Sequence, residues 1–269
     1  MPPKLSTQTV LVIGGTSGIG LAVAAEALAQ SAAHVTISGS NPSKLAAALS
    51  HLLGTLPSAS DHSRVSGYTC DLSGGGDGAS SVVEANLRAL LAATVAGNGR
   101  GRIDHVAYTA GDALPLTPVS SLTASAIHAG GAVRFVGALL LAKLLPEFTT
   151  PSPTSSLTLT GGVNTNRPSP GGWTLAAAYG GALQGAMRGL AVELAPLRVN
   201  LVEPGAVETP LWGSVPVEGR EAMRRRFGER STVGRVGRPE DTAEAYVYLM
   251  KDHFAAGAIV ESNGGTLLT

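Results

Sequence analysis

The sequence contains few of the residues that mark secreted, metal-binding or nucleic-acid-binding proteins. A single cysteine among 269 residues cannot form an internal disulfide, and aromatic residues make up only 4%, which leaves few platforms for stacking bases. Lys and Arg total 19, as do Asp and Glu, so the chain has no basic field to attract a phosphate backbone. The histidines form no pair at metal-ligand spacing. We therefore expect no metal and no nucleic-acid partner.

The sequence also has no segment that resembles an export or membrane signal. The N-terminal residues MPPKLSTQ lack the apolar core of a secretory signal, which favours a reducing, cytoplasmic location. The longest apolar stretch, residues 129–145, carries Arg134 and Lys143 and is short for a bilayer span. We expect it to be a buried helix, and we expect no membrane partner.

The sequence alternates short β-branched runs with longer Ala- and Leu-rich segments, a pattern typical of a parallel sheet covered by helices on both faces. The predicted strands are 9–13, 34–38, 65–70, 103–108, 156–160, 198–202 and 258–261. The predicted helices are 19–30, 42–53, 79–96, 122–148, 174–194 and 239–251. This alternation continues along the whole chain, without a linker or an internal repeat. It predicts one α/β domain over residues 1–269, a Rossmann-like, doubly wound parallel sheet of about seven strands in a three-layer α/β/α arrangement.

A glycine-rich segment, GGTSGIG at residues 14–20, follows the first predicted strand and begins the first helix. In such a turn Gly14 permits the sharp bend, Gly18 lets the backbone approach a pyrophosphate, and Gly20 lets helix and strand pack closely. The helix N-terminus offers free N–H groups and a positive dipole end to an anion. The segment predicts a dinucleotide site, although tight strand-to-helix turns without a ligand also use glycine.

Further motifs follow in an order that resembles the short-chain dehydrogenase/reductase family. Besides GGTSGIG, they are CDLS, where Asp71 could accept from an adenine amino group, TAGD after the fourth strand, RVNLVEPGAVETPLW and SNGG. The resemblance covers about residues 7–268. It implies a bound nicotinamide dinucleotide, a substrate lid at about 212–236, and a homodimer or homotetramer built on the two long helices. The cofactor-binding residues it implies outside the second strand are Gly14, Thr16, Ser17, Gly18, Ile19, Gly20, Asp71, Leu72, Ala110, Gly111, Pro204, Gly205, Val207 and Thr209.

The residues after the second strand bear on the choice of coenzyme. A carboxylate there would favour NAD by bonding the ribose 2′-hydroxyl, whereas this chain has Ser40 and Asn41, with Lys44 nearby. We therefore favour NADP, with NAD as the alternative. Ser40 and Asn41 also fit ordinary N-capping of the helix that begins at Pro42, and the two roles are compatible.

The catalytic positions that the resemblance implies do not carry the family's residues. Counted back from GLAVEL, the family's tyrosine and lysine fall on Ala176 and Gly180. The serine falls at Gly162 or Val163 and the asparagine at about Val133. By this alignment the chain is an atypical member without the Asn-Ser-Tyr-Lys tetrad.

Few side chains near these positions could replace the tetrad. Tyr179 could approach a substrate, although packing on the helix flank or at a subunit contact is the favoured alternative. Thr160 and Asn164 could donate to a carbonyl or close the strand-to-loop turn. Arg134 either points into the cleft or pairs with a carboxylate, because an unpaired buried cation is costly.

These observations leave three hypotheses open. The first is an atypical NADP(H)-binding reductase or dehydrogenase that acts on a small apolar, cyclic or aromatic carbonyl or hydroxyl compound of secondary metabolism, with a non-standard proton donor. The second is a non-redox cyclase, isomerase or lyase that uses the same cleft. The third is a non-catalytic binding protein, which fold alone does not exclude.

Overall fold

The sheet has the predicted architecture. The computed structural model describes residues 3–74, 80–112, 114 and 116–269. One seven-stranded sheet, parallel throughout, has the order β3-β2-β1-β4-β5-β6-β7. The strands are β1 (Thr9–Ile13), β2 (His34–Gly39), β3 (Val65–Thr69), β4 (His105–Tyr108), β5 (Ser156–Thr160), β6 (Arg198–Pro204) and β7 (Ile259–Ser262). The predicted fold class is confirmed.

The helices cover both faces of the sheet. They are α1 (Gly18–Ala29), α2 (Pro42–Thr55), α3 (Ser80–Gly97), α4 (Ala124–Gly131), α5 (Ala138–Phe148), α6 (Thr174–Glu193), α7 (Val217–Glu229) and α8 (Pro239–Lys251). One core cluster packs α1, α2 and α8 on the sheet, and the other packs α3, α5 and α6 on the opposite face. The inner strands are buried on both faces, which explains their continuous apolar runs. The predicted starting residue of α3, residue 79, lies outside the described residues.

The segment predicted as one helix over 122–148 is divided. Thr123 accepts the N–H of Ala126 and caps α4, and a π-helical turn, Ala132–Gly137, separates α4 from α5. By length and composition the run Ala124–Phe148 could cross a membrane. In the fold, its second half contributes fully buried side chains to the core, and Lys143 and Glu147 pair with Glu84 and Arg88 of α3. The predicted burial is confirmed for α5.

The helix α7 was not predicted. Its sequence, VEGREAMRRRFGE, is polar and rich in arginine, and Gly228 is its one buried residue among those described. It therefore shows no apolar stripe with helical period. Its position within residues 212–236 places a helix in the segment expected to be the lid.

The strand order also determines where a ligand can bind. β1 pairs with β2 on one side and with β4 on the other, so successive connections leave β1 in opposite directions. In open parallel sheets such a reversal opens a crevice at the carboxyl ends of the strands. The glycine-rich turn, the TAGD segment and the Pro204-Gly205 turn all follow strand ends at this edge.

Candidate active site

The glycine-rich turn has the form that a phosphate site needs. Gly14 has a φ of 89°, and a Cβ there would lie 2.5 Å from the backbone nitrogen of Ala110. The N–H groups of Gly14 and Gly15 both donate to the Ser38 carbonyl, at 2.9 Å each. Glycine at position 14 thus allows β1, β2 and the segment after β4 to meet at one point.

The helix that follows this turn presents its first N–H groups without a competing cap. Ser17 occupies the N-cap of α1, its side chain makes no capping hydrogen bond, and the first turn has no acidic residue. Thr16 and Ile19 flank this end, half-buried, and Gly20 packs directly against the Gly14 carbonyl. A helix end of this kind is suited to an anion such as a diphosphate.

The second part of the predicted coenzyme site lies after β3 and β4. Asp71 is exposed, and its Oδ1 accepts the Ser73 N–H at 2.9 Å, while the adjacent Leu72 is buried in the core. Ala110 abuts Gly14, and Gly111 follows it at the surface. Ala110 and Gly111 thus lie directly beside the glycine turn.

The third part of the predicted coenzyme site lies after β6. The Gly205 N–H donates to the Ser262 carbonyl at 3.0 Å, which fixes the turn that begins at Pro204. Val207 is buried and bridges to Gly237. A Cβ on Gly18 would lie 3.1 Å from the Thr209 side chain, so Thr209 covers the glycine turn.

The residues after β2 fit a phosphate-bearing ribose. Asn41 caps α2, since its Oδ1 accepts the Lys44 N–H at 2.9 Å, and Pro42 occupies the first turn. Ser40 and Lys44 are both exposed beside it. The capping role of Asn41 is confirmed. It leaves the Ser40 hydroxyl and the Lys44 ammonium facing solvent at the end of β2.

All the catalytic candidates line one cleft. It lies at the carboxyl ends of β4 and β5 and has a cavity volume of about 70 Å³. Its described lining residues are Leu114, Gly130, Arg134, Thr160, Gly161, Gly162, Asn164, Thr165, Trp173, Ala176, Tyr179, Gly180 and Leu183. The cleft therefore combines apolar walls, a glycine-rich floor and few polar groups, as small-molecule sites do.

Arg134 is the charged side chain of this cleft. Its Nη2 donates to the Asp112 carbonyl, and its guanidinium lies on Gly111, where a Cβ would collide with Cζ. Nε is buried and has no partner among the described residues. Burial lowers the pKa of this guanidinium, and the nearby Asp112 partly counteracts that effect. The result is a largely desolvated cation beside the end of β4, with one buried N–H that no described residue accepts.

The hydroxyl groups of Thr160 and Tyr179 are already engaged. Thr160 donates to the Tyr108 carbonyl at 2.6 Å and lies 2.5 Å from the Tyr246 hydroxyl. Tyr179 donates to the Ile127 carbonyl at 2.7 Å and packs on Phe135, with ring centroids 5.9 Å apart. Each proton is held by a backbone carbonyl, which makes both residues weaker candidates for proton donors.

Asn164 differs from these residues. Its side chain is half-buried at the cleft and makes no hydrogen bond within the part of the chain that the structure describes. Its amide can both donate and accept. Among the polar candidates, Asn164 and Arg134 retain free hydrogen-bonding capacity for a ligand.

Ala176 and Gly180, which the alignment pairs with the family's tyrosine and lysine, also line the cleft. The Thr165 hydroxyl occupies the place that a Cβ on Gly180 would take. Val133, which the alignment pairs with the asparagine, is buried in the π turn. The space beside Ala176 is available to a ligand.

The structure adds a polar cluster behind the cleft that sequence reasoning missed. Glu203 is fully buried at the end of β6 and accepts from Asn166 at 2.9 Å and from Gln184 at 2.8 Å. Its Oε1 would lie 3.1 Å from a Cβ on the lining residue Gly161. A carboxylate near the end of a predicted buried strand, followed by Pro-Gly, was the available signal.

The two tryptophans have different positions. Trp173 lines the cleft, whereas Trp212 packs on Phe227 within residues 212–236, with ring centroids 6.0 Å apart. Tyr108, the last residue of β4, is 2% exposed and is not among the described lining residues. No cluster of metal-ligating side chains occurs among the residues described.

The comparisons with known proteins agree with the fold. A family model described as an SDR-like Rossmann domain matches residues 2–269. The short-chain dehydrogenase/reductase malC of Malbranchea aurantiaca is 41% identical over 264 residues, 98% of this chain and 96% of its own. The short-chain dehydrogenase/reductase fsr5 of Gibberella fujikuroi is 39% identical over 267 residues, 99% of this chain and 97% of its own.

Solved structures give the same result. The structure of the MalC reductase/Diels-Alderase from Malbranchea aurantiaca matches with a TM-score of 0.90, covering 100% of this chain and 99% of that one. A small-chain dehydrogenase in complex with NADPH matches with a TM-score of 0.72 at 25% identity, covering 98% of this chain and 100% of that one. The chain belongs to the short-chain dehydrogenase/reductase family.

Proposed function

We propose that the chain is an NADP(H)-dependent reductase that works without the family's Asn-Ser-Tyr-Lys tetrad. Its substrate is a small apolar, cyclic or aromatic carbonyl or hydroxyl compound of secondary metabolism. The observation that carries the proposal is that the segment after β4 joins the two parts of the site, because Ala110 abuts Gly14 at the uncapped helix end and Gly111 lies against Arg134 of the cleft. The NADPH complex of a similar dehydrogenase supports the choice of coenzyme.

Residues of this chain fit the coenzyme. The diphosphate would lie at Gly14, Gly18 and the first N–H groups of α1. Asp71 would accept from the adenine amino group, and Ser40 with Lys44 would hold a ribose 2′-phosphate, which no carboxylate in the described turn between β2 and α2 repels. When bound, the coenzyme supplies a hydride.

Arg134 and Asn164 would then handle the substrate. As a carbonyl gains hydride, negative charge develops on its oxygen, and a fixed donor aimed at such charge contributes about 10²- to 10³-fold in rate. Arg134 stabilises that charge, and Asn164 orients the oxygen. A water molecule held in the cleft supplies the proton that completes the alcohol. A positioned acid would typically add about 10²- to 10⁴-fold, so this chemistry proceeds with a lower rate.

The test is NADPH oxidation by the purified chain with a panel of cyclic and aromatic ketones and aldehydes. We expect turnover of at least one compound and expect Arg134→Met, which keeps the length but removes the charge, to lower kcat about 10²-fold. The coenzyme Kd should change less than twofold. Absence of NADPH consumption across the panel, or full activity of Arg134→Met, would contradict the proposal.

We propose a cyclisation as the second function of the same cleft. The structure of a 41% identical relative is described as that of a reductase/Diels-Alderase. The apolar walls formed by Leu114, Trp173 and Leu183 suit a substrate that is folded rather than chemically activated. Conversion without coenzyme and without a change in product mass would favour this function. Binding without conversion of any candidate would favour a non-catalytic protein.

We also propose that residues 212–236 cover the substrate. Arg224 pairs with Glu208 and so joins α7 to the segment carrying Thr209.

We further propose that the chain forms a homodimer or homotetramer. Exposed apolar side chains, Val136 at 39% and Val192 at 77%, lie on the π turn and on α6. Light scattering on the purified chain tests assembly, and a monomer would exclude it.

A further inference from the structure

The helix that carries Arg134 has an irregularity with an identifiable cause. Side chains that insert into the helical hydrogen-bond ladder bend or widen it, and π turns often mark functional positions. Tyr108, the last residue of β4, donates its hydroxyl proton to the Val133 carbonyl at 2.5 Å. In a regular α-helix that carbonyl would accept the N–H of Gly137, four residues on.

Gly137 makes room for this insertion. A Cβ at position 137 would lie 2.5 Å from Tyr108 Oη. Any larger residue would displace the hydroxyl from its place beside the helix. Tyr108 and Gly137 therefore form a complementary pair, in which the absence of one side chain accommodates the other.

The same strand end also holds the arginine. Arg134, the residue after Val133, lies on Gly111 and donates to the Asp112 carbonyl. The segment 108–112 thus contacts two consecutive residues of the π turn, one through a tyrosine hydroxyl and one through bare backbone. Burial raises the pKa of Tyr108, so the hydroxyl keeps its proton.

We propose that Tyr108 is a positioning residue, which keeps the π turn open and thereby directs the Arg134 guanidinium over Gly111 into the cleft. This inference deepens the proposed function and relies on it for the role of Arg134. It distinguishes Tyr108 from a buried tyrosine that merely satisfies a neighbouring carbonyl. In that simpler case, loss of the hydroxyl would weaken the fold without moving Arg134.

The first test needs no substrate. Phenylglyoxal modifies accessible arginines. Peptide mapping gives the rate at which Arg134 is modified, relative to the rate for the exposed Arg225 in the same sample. We expect Tyr108→Phe and Gly137→Ala each to raise this relative rate threefold or more. Thr94→Val is the matched control, because it removes a buried hydroxyl that donates to the Leu90 carbonyl at 2.8 Å in α3. The proposal is overturned if Tyr108→Phe raises the relative rate of Arg134 modification less than threefold, or if Thr94→Val raises it as much as Tyr108→Phe does.

The second test uses a compound turned over in the NADPH assay. Tyr108→Phe should lower kcat/KM about tenfold in the wild-type background but less than twofold in Arg134→Met, since the positioned group is then already absent. Equal effects in both backgrounds would assign Tyr108 a purely structural role. If no compound is turned over, the proposed reductase fails while the phenylglyoxal result still decides the positioning role.

Discussion

Two glycines, Gly14 of the coenzyme turn and Gly162 of the substrate cleft, differ in what surrounds them. At the turn, Gly14 is required because backbone atoms of Ala110 occupy the space that a side chain would need. In the cleft, Gly162 has nothing within 4 Å of the position of a Cβ, although a Cβ on the lining residue Gly180 would collide with Thr165. The difference indicates that the backbone at Gly14 is fixed by sterics, whereas position 162 has room for a side chain or a ligand.

The largest effect is expected from a substitution that disrupts the coenzyme turn. Gly14→Ala places a side chain at a φ of 89° and against Ala110, so strain and overpacking together should lower the free energy of unfolding by about 2 to 6 kcal/mol. NADPH binding should be lost with it. Urea unfolding and calorimetric titration measure the two effects. Gly162→Ala is the control and should retain both properties, and equal damage by the two substitutions would refute the contrast.

The next largest effect is expected from a substitution that fills the cleft. Ala176→Tyr puts a phenol into the space beside Arg134 and should lower turnover of a bulky substrate about 10²-fold by misplacing it, with the coenzyme Kd unchanged. Steady-state kinetics provide the measurement, and Ala178→Tyr on the exposed side of α6 is the matched control. Faster turnover in Ala176→Tyr would instead show that the cleft accepts a catalytic phenol.

The pH dependence of stability should come from the buried His105 of β4 rather than from residues of the cleft. Burial, with a contribution from Arg198, lowers the pKa of His105 to about 3, and its ring contacts Ser156 at 2.9 Å and Gln8 at 2.8 Å. The folded protein keeps this ring neutral, whereas the unfolded chain binds a proton near pH 6.5. Stability is therefore fully present above that pH and falls as the pH is lowered, by up to about 1.4 kcal/mol per unit.

Urea unfolding between pH 7.5 and pH 5 measures this slope. Burial also lowers the pKa of His34, which adds to the effect in the same direction. His105→Gln should reduce the slope. A slope unchanged by this substitution would remove His105 from the explanation.

The smallest expected effect concerns Tyr179. Because its hydroxyl donates to the Ile127 carbonyl, Tyr179→Phe should lose about 0.5 to 1.5 kcal/mol of stability and change kcat less than threefold. Thermal unfolding and NADPH oxidation provide the measurements. A loss of about 10²-fold in kcat would identify Tyr179 as the proton donor and would show that the cleft retains an acid.

The sheet and the glycine turn could be predicted because their signals are local. The strand Thr9–Ile13, TVLVI, is apolar after its first residue since both faces are covered, and its bounds and those of Ser156–Thr160 match the expectation. The glycines of segment 14–20 stand at the spacing that a phosphate-binding turn requires, so the segment could be recognised without knowledge of distant contacts. Asn41 likewise caps a helix that begins at the next residue.

The remaining features depend on contacts between distant parts of the chain. The π turn accepts a hydrogen bond at Val133 from the Tyr108 hydroxyl, which lies 25 residues away in sequence. The hydrogen-bond partners of the Thr160 and Tyr179 hydroxyls also lie in other elements of the fold. The helix α7 lacks an apolar stripe, so periodicity could not reveal it.

Calorimetric titration of the wild-type chain with NADPH and with NADH at matched ionic strength tests the central claim most directly. One NADPH should bind per chain, about tenfold more tightly than NADH, which corresponds to about 1.4 kcal/mol from the ribose phosphate contacts. Absence of heat with both coenzymes, or tighter binding of NADH, would contradict the account.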